Sequence, residues 1–112
     1  MIRVRRMRMG DDRVYLVVGG DAHIGAVATA YWDGAAVKVK KTVLPGHREG
    51  PLAEMFAERV ARRFRCTVTV MMGIHVDGAS RDDIRRIEEE VVRRIERVCG
   101  REDVRRWVPF MT

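Results

Sequence analysis

The sequence predicts an α+β domain in which a mostly antiparallel sheet of about five strands carries two helices on one face, in the order β-β-β-β-α-β-α. Three observations predict it. Up to Val43 the chain alternates apolar and polar residues with period two, punctuated by Gly10-Asp11-Asp12, Gly19-Gly20-Asp21 and Asp33-Gly34. After Pro51, two long stretches place apolar residues at helical spacing instead. Between those stretches lies a β-branched run beginning at Thr67, which returns to strict alternation.

The elements follow in order. Residues 2 to 9 form the first strand, Ile2 and Val4 alternating with Arg3 and Arg5, and Arg6-Met7 breaks its phase. Val14 to Val18 is the second. His23 to Tyr31 reads as the third, with Ile24, Ala26, Ala28 and Ala30 on one side, a surface that admits close approach by a helix or a second sheet. Asp33-Gly34 is a strong hairpin signal. Ala36 to Val43 returns as the fourth strand, with Val37 and Val39 inward and Lys38 and Lys40 outward. Pro51 holds the favoured first position of a helix whose buried stripe is Leu52, Met55, Phe56, Val60 and Phe64.

The fifth strand places Val68, Val70, Met72, Ile74 and Val76 on the core face and ends the other face in His75. Ser80 with Asp83 resembles a capping box opening a helix from Arg81 to Cys99, stopped by Gly100. Its core stripe is Ile84, Ile87, Val91, Ile95 and Val98. Asp82 with Arg86, Glu89 with Arg93 and Glu90 with Arg94 are i,i+4 pairs, each contributing about 0.2–0.5 kcal/mol. Trp107, Val108 and Phe110 make the tail too apolar to float free. The sheet face away from the helices, with its Thr, Met and Tyr residues, is a surface for a second copy.

Composition narrows the classes. At 112 residues and 46% hydrophobic content the chain is one globular domain. No apolar run approaches the roughly 18 residues that span a bilayer, so no membrane role is expected. The arginine-interrupted start, Met1 to Arg8, is not a secretory signal, and a cytoplasmic location is expected. Cys66 and Cys99 lack metal-ligand spacing and read as buried free thiols. The absence of Asn and Gln beside 34% charged residues suggests a thermophilic source. Net charge is +6, and the sequence pI is about 10.1. The surplus lies in Arg3, Arg5, Arg6 and Arg8 with Lys38, Lys40 and Lys41, which suits a phosphate-bearing or acidic partner or nucleic acid. Aromatic content of only 6%, with no set placed for base stacking, weighs against nucleic acid.

Each histidine lies beside glycine and a carboxylate at an expected strand end or turn: His23 near Asp21, His47 near Glu49, His75 near Asp77. Such imidazoles suit a first-row metal, with the carboxylates as ligands or as acceptors behind them. No HxxxH or HExxH spacing occurs, and each histidine alone reads more readily as a hydrogen-bonded surface residue than as a ligand; the shared context of all three brings the two readings level. The Gly46-His47-Arg48-Glu49-Gly50 turn before a helix has the makings of an anion site, without the GK[ST] ending of a P-loop. An ordinary strand-to-helix connection explains those residues as well. There is no nucleophile elbow, the sole serine is a cap, and Cys66 has no evident base. A binding module fits better than an enzyme.

Three blocks carry a resemblance: Gly19-Gly20-Asp21-Ala22-His23-Ile24-Gly25-Ala26-Val27-Ala28, then Leu44-Pro45-Gly46-His47-Arg48-Glu49-Gly50, then Gly73-Ile74-His75-Val76-Asp77-Gly78-Ala79. In this order they resemble the motif blocks of the prenylated-flavin chaperone-like family, over roughly Gly10 to Cys99. Its namesake is the small D subunit encoded beside hydroxyarylic acid (gallate-type) decarboxylases of the prenylated-FMN-dependent class. The resemblance implies a small non-catalytic homodimer that binds prenylated FMN or FMN, through a divalent metal or potassium. It would carry the cofactor between a flavin prenyltransferase and the decarboxylase. On matching positions, His23, His47 and His75 become metal or cofactor contacts, with Gly46, Arg48 and Glu49 around the phosphate.

Element order also resembles the proteasome assembly chaperones, a likeness of fold alone. It supports a competing reading, an assembly or scaffold protein that binds partners through the open sheet and the Trp107–Phe110 tail. A metal-dependent hydrolase using the same histidines is the third reading.

Overall fold

A computed structural model of the chain describes residues 1–100 and, as backbone alone, Trp107–Val108. The elements are β1 (Arg3–Met9), β2 (Asp12–Gly20), β3 (Ala26–Asp33), β4 (Ala36–Val43), α1 (Gly50–Phe64), β5 (Val68–His75), α2 (Arg81–Gly100) and a short β6 (Trp107–Val108). This is the α+β order read from the sequence. The expectations placed on the rest of the tail, Phe110 included, lie outside the described residues.

The sheet order is β4-β3-β5-β2-β1-β6. β1–β2, β3–β4 and β3–β5 pair antiparallel, and β2–β5 and β1–β6 pair parallel. The sheet is therefore mixed and mostly antiparallel. Inserting β5 between the two hairpins matters for the site. It runs beside β2 with Gly20 in register with His75, so both strands finish at the same end. β3 starts at that end and β4 finishes there, because Ala26 pairs with both Met72 and Val43.

One face of the sheet holds the core. Tyr15, Val17, Val68, Val70 and Met72 are buried along β2 and β5, and Val91, Ile95 and Val98 reach the same cluster from α2. Ala26, Ala28 and Ala30 of β3 are fully buried with Ala53, Ala57 and Ala61 of α1. Small residues in both elements let the helix lie close to the strand, as the alanine face predicted. Tyr15 and Phe56 rings meet at 5.3 Å, and the Arg13 guanidinium lies 3.7 Å over the Phe64 ring. Arg13 also donates to the Tyr15 hydroxyl at 3.5 Å. Burial raises the pKa of that hydroxyl, an effect the arginine opposes.

Three details depart from the sequence reading. β1 keeps its phase, because Arg6 stands opposite Tyr15 in an unbroken register. Glu90 and Arg94 do not pair with each other but clamp the backbone of Ile2: its N–H donates to Glu90 Oε2 at 2.8 Å, and its carbonyl accepts from Arg94 Nη2 at 2.6 Å. The expected Asp82–Arg86 pair is replaced by i,i+3 contacts, Arg85 to Asp82 at 3.0 Å and Arg86 to Asp83 at 3.9 Å. The capping box is present in both directions, with Asp83 N–H donating to Ser80 Oγ at 3.1 Å and Ser80 N–H to Asp83 Oδ2 at 2.9 Å. Both cysteines are free thiols, Cys66 buried and Cys99 half-buried. Desolvation pushes the Cys99 thiol pKa up.

Candidate metal and cofactor site

β3 begins at Ala26, so His23 lies in the connection from β2 rather than in a strand. Two glycines explain the departure. Gly20 adopts φ +63°, and a Cβ there would run into the His75 carbonyl. Gly73 leaves room for the connection to cross, because a Cβ on it would strike the His23 carbonyl. The Asp21 N–H then donates to the His75 carbonyl at 3.1 Å, and Gly25 N–H to Met72 at 2.9 Å.

From the other side, Leu44 N–H donates to the Gly25 carbonyl at 2.9 Å, and a turn through Gly46 (φ +80°) brings His47 beneath. Glu49 is the N-cap residue of α1, yet its side chain makes no capping bond. The carboxylate instead accepts from Arg48 N–H at 3.0 Å and from Ile74 N–H at 3.3 Å. β5 runs past the start of β3, and the carboxylate takes the place a neighbouring strand would have filled.

The three histidines converge within one chain. His23 Nε2 lies 3.1 Å from His47 Nδ1, and the rings of His23 and His75 meet edge to face at 5.7 Å. Glu49 Oε2 lies 3.8 Å from His23 Nε2 and 3.6 Å from His47 Nδ1. His23 Nδ1 is 2.9 Å from the Asp21 carbonyl, which can only accept. That bond requires a proton on Nδ1, and Nε2 is the ring nitrogen that faces His47 and Glu49. His75 sits apart from this cluster chemically, its Nε2 bonded to Asp77 Oδ1 at 2.7 Å.

The ligand atoms of His23, His47 and Glu49 all lie within 4.8 Å of one another. Ligands about 2.0–2.1 Å from a first-row ion stand roughly 3.0–3.4 Å apart, so the set needs only small closure to hold one. Two imidazole nitrogens and a carboxylate oxygen also suit such an ion chemically. A Cβ on Gly25 would overlap Glu49 Oε2, so the carboxylate fits only because that position is glycine.

Beside the cluster opens a groove of about 750 Å³ between the N-terminal halves of α1 and α2. Leu52, Met55, Ile84 and Ile87 form much of its wall, with His47, Arg48, Glu49 and His75 at one end. The sequence reading had assigned those four apolar residues to the core. Met55 is instead 37% exposed, and the other three are half-buried. Helical spacing marks an apolar stripe but not how far the stripe remains covered.

A family model described as the prenylated flavin chaperone LpdD-like domain matches residues 1–102. The chain belongs to this family. The match spans every residue of the cluster and of the groove. The family is described as a chaperone of prenylated flavin, in agreement with the resemblance carried by the three histidine blocks. No curated protein matches the chain. Among the described residues no helix is long and apolar enough to cross a membrane.

Proposed function

We propose that this chain is a non-catalytic cytoplasmic chaperone that binds prenylated FMN, or FMN itself, and serves a prenylated-FMN-dependent aromatic acid decarboxylase. One observation carries the reading: a His-His-Glu cluster of metal-ligand geometry stands at the end of an apolar groove of about 750 Å³. A volume of that order suits a cofactor-sized ligand, and an apolar wall suits a flat aromatic ring system.

In this reading His23, His47 and Glu49 hold a divalent ion. When bound, the ion supplies a positive charge for the flavin phosphate. Paired imidazoles favour a transition metal over potassium. Arg48 and the backbone around Gly46 lie beside the cluster, where they add charge and N–H donors. Glu49 therefore serves the metal rather than the phosphate. His75 lines the groove and contacts the cofactor from there. A homodimer working between a flavin prenyltransferase and the decarboxylase completes the proposal, as the family resemblance implies.

The test is a thermal-shift and absorbance titration with FMN and prenylated FMN, each with and without Mn²⁺, Zn²⁺ or K⁺. Flavin and divalent metal together should raise the melting temperature by linkage, and His47→Ala should abolish the rise. Absence of any shift with either flavin under all ions overturns the reading.

A further inference from the structure

Beside its core stripe, α2 carries a second one. Glu90, Arg94 and Arg97 recur at i, i+4 and i+7 and so share one side of the helix. Glu90 and Arg94 clamp the Ile2 backbone, which sets this side of α2 against the start of β1. On β1, Val4 stands opposite Val17 and Arg6 opposite Tyr15, both core residues, so Val4 and Arg6 share the helix face of the sheet. Between the two elements lies a cleft of about 460 Å³. Buried Ile2 and Val98 with half-buried Val4 form its floor, and Arg6, Arg94 and Arg97 stand around it. Arg3 and Arg5 complete the lining, to which no acidic residue contributes among the described residues.

This cleft shares no lining residue with the groove beside the metal cluster. The groove takes Ile84, Ile87 and Glu88 from the first half of α2, and the cleft takes Arg94, Arg97 and Val98 from the second.

Elsewhere on the helices the arginines are neutralised locally, as Arg62 is by Glu58, Arg85 by Asp82 and Arg86 by Asp83. Here they are not. The Arg6 and Arg97 side chains make no hydrogen bond or ion pair among the described residues, and Arg94 gives Nη2 to a neutral carbonyl. Guanidinium groups gathered on one concavity repel each other unless an anion lies between them. Their planar forks match paired phosphate oxygens, and Arg94 keeps further N–H donors beyond the one spent on Ile2. A dianion balances two such charges, where a single carboxylate balances one. The volume lies in the range of small-molecule sites, and the floor suits an apolar group. The Ile2–Arg94 bond bridges the two walls, which suits a compact ligand better than a long extended peptide.

We propose that this cleft binds a small phosphate monoester, its phosphate on Arg6, Arg94 and Arg97 and its organic portion on Ile2, Val4 and Val98. The site is separate from the flavin reading and does not depend on it.

The test is an NMR titration of the isotopically labelled full chain at about pH 8, where the monoester is a dianion. Inorganic phosphate and phenyl phosphate are the probes, with chloride at matched ionic strength as the control. Amide shifts should centre on Val4, Arg6, Arg97 and Val98. Phenyl phosphate should bind about tenfold more tightly than inorganic phosphate, because its ring reaches the apolar floor. Arg97 is exposed, so Arg97→Ala should keep the fold, and it should weaken both probes about tenfold or more. His47→Ala/Arg48→Ala removes the other candidate phosphate contacts and should leave both affinities unchanged.

Metal and flavin titrations of Arg97→Ala should match wild type, so failure at either site is read separately. Phosphate no more effective than chloride overturns the proposal. So does an affinity that Arg97→Ala leaves intact, or one that His47→Ala/Arg48→Ala abolishes. A glutamate-rich peptide that competes as well as phenyl phosphate also overturns it, and makes the cleft a protein-docking surface instead.

Discussion

Replacing one hydrogen at Gly25 by a methyl group should disable the proposed metal site. The added Cβ would overlap Glu49 Oε2 and approach His47 Nδ1 to 3.0 Å. Gly25 is not among the residues with positive φ, so alanine is compatible with its backbone. On backbone grounds alone, Gly25→Ala would then stabilise by about 0.4–1 kcal/mol through the unfolded state. Against this stands the carboxylate. To escape the methyl it must release the N–H groups of Arg48 and Ile74, bonds to a charged acceptor worth about 1.5–3 kcal/mol each. The net expectation is a loss of about 2–5 kcal/mol, measured by urea denaturation without metal. A second readout is independent of folding cost. At a metal concentration of about 100 times Kd, wild type gains roughly 2.7 kcal/mol by linkage, and the variant should gain almost nothing. A Gly25→Ala protein as stable as wild type that still gains stability from Mn²⁺ or Zn²⁺ would refute the argument.

Further outcomes follow from neighbouring geometry. Gly73→Ala meets the His23 carbonyl, a backbone atom that cannot rotate away, and should cost more than Gly25→Ala in the same denaturation assay. Ser80→Ala should destabilise by about 1 kcal/mol through loss of the α2 cap. The Ser80 hydrogen bonds hold the Asp83 carboxyl pKa below its usual 3.8, so its contribution is present above that pH and lost as pH falls through the lower folded value. The Ser80 N–H is the larger cause and survives in Ser80→Ala, so acid denaturation should remove most of this contribution from both proteins alike, the gap narrowing only by the hydroxyl's smaller share. His75→Ala should leave metal affinity nearly intact in calorimetry while weakening flavin binding, because His75 lines the groove but bonds to Asp77. Arg94→Ala frees the Ile2 carbonyl, and hydrogen exchange at the β1 amides should accelerate.

Much of this was legible in the sequence where local chemistry and tertiary demand agree. Period-two alternation located the strands, Pro51 the start of α1, and Ser80 with Asp83 the start of α2. What escaped was set by long-range geometry. Nothing local in Thr67–Val76 says that β5 enters between β2 and β3, yet that insertion aligns His75 with the end of β2. His23 read as strand because Ile24, Ala26 and Ala28 alternate. The crossing over Gly73, 50 positions away, is what lifts it out. Glu90 and Arg94 have favourable helical spacing, but the unpaired backbone of Ile2 competes for both and wins. The three histidine blocks were visible as a set. Their division into a two-histidine cluster with Glu49 and a separate His75–Asp77 pair was not, because it depends on which ring nitrogens face each other.

That division has a physical logic for a protein that must give its cargo up. His23 is oriented by a backbone carbonyl and Glu49 by two backbone N–H groups, one of them on the central strand β5. Their positions are therefore fixed by the fold before any ligand arrives, which limits the ordering cost of binding an ion. The groove is the opposite kind of surface. Met55 and Val76 are each 37% exposed, and His75 and Arg48 stand in solvent. Methionine and long polar side chains adapt to a ligand but must be ordered by it, which lowers the net affinity they contribute. On the proposed reading, a rigid anchor beside a pliable, open groove would hold a cofactor by one end and leave most of its body accessible. The proposed receiving enzyme would then build its own contacts with that body before the anchor let go. A closed pocket of the same volume would have to open first.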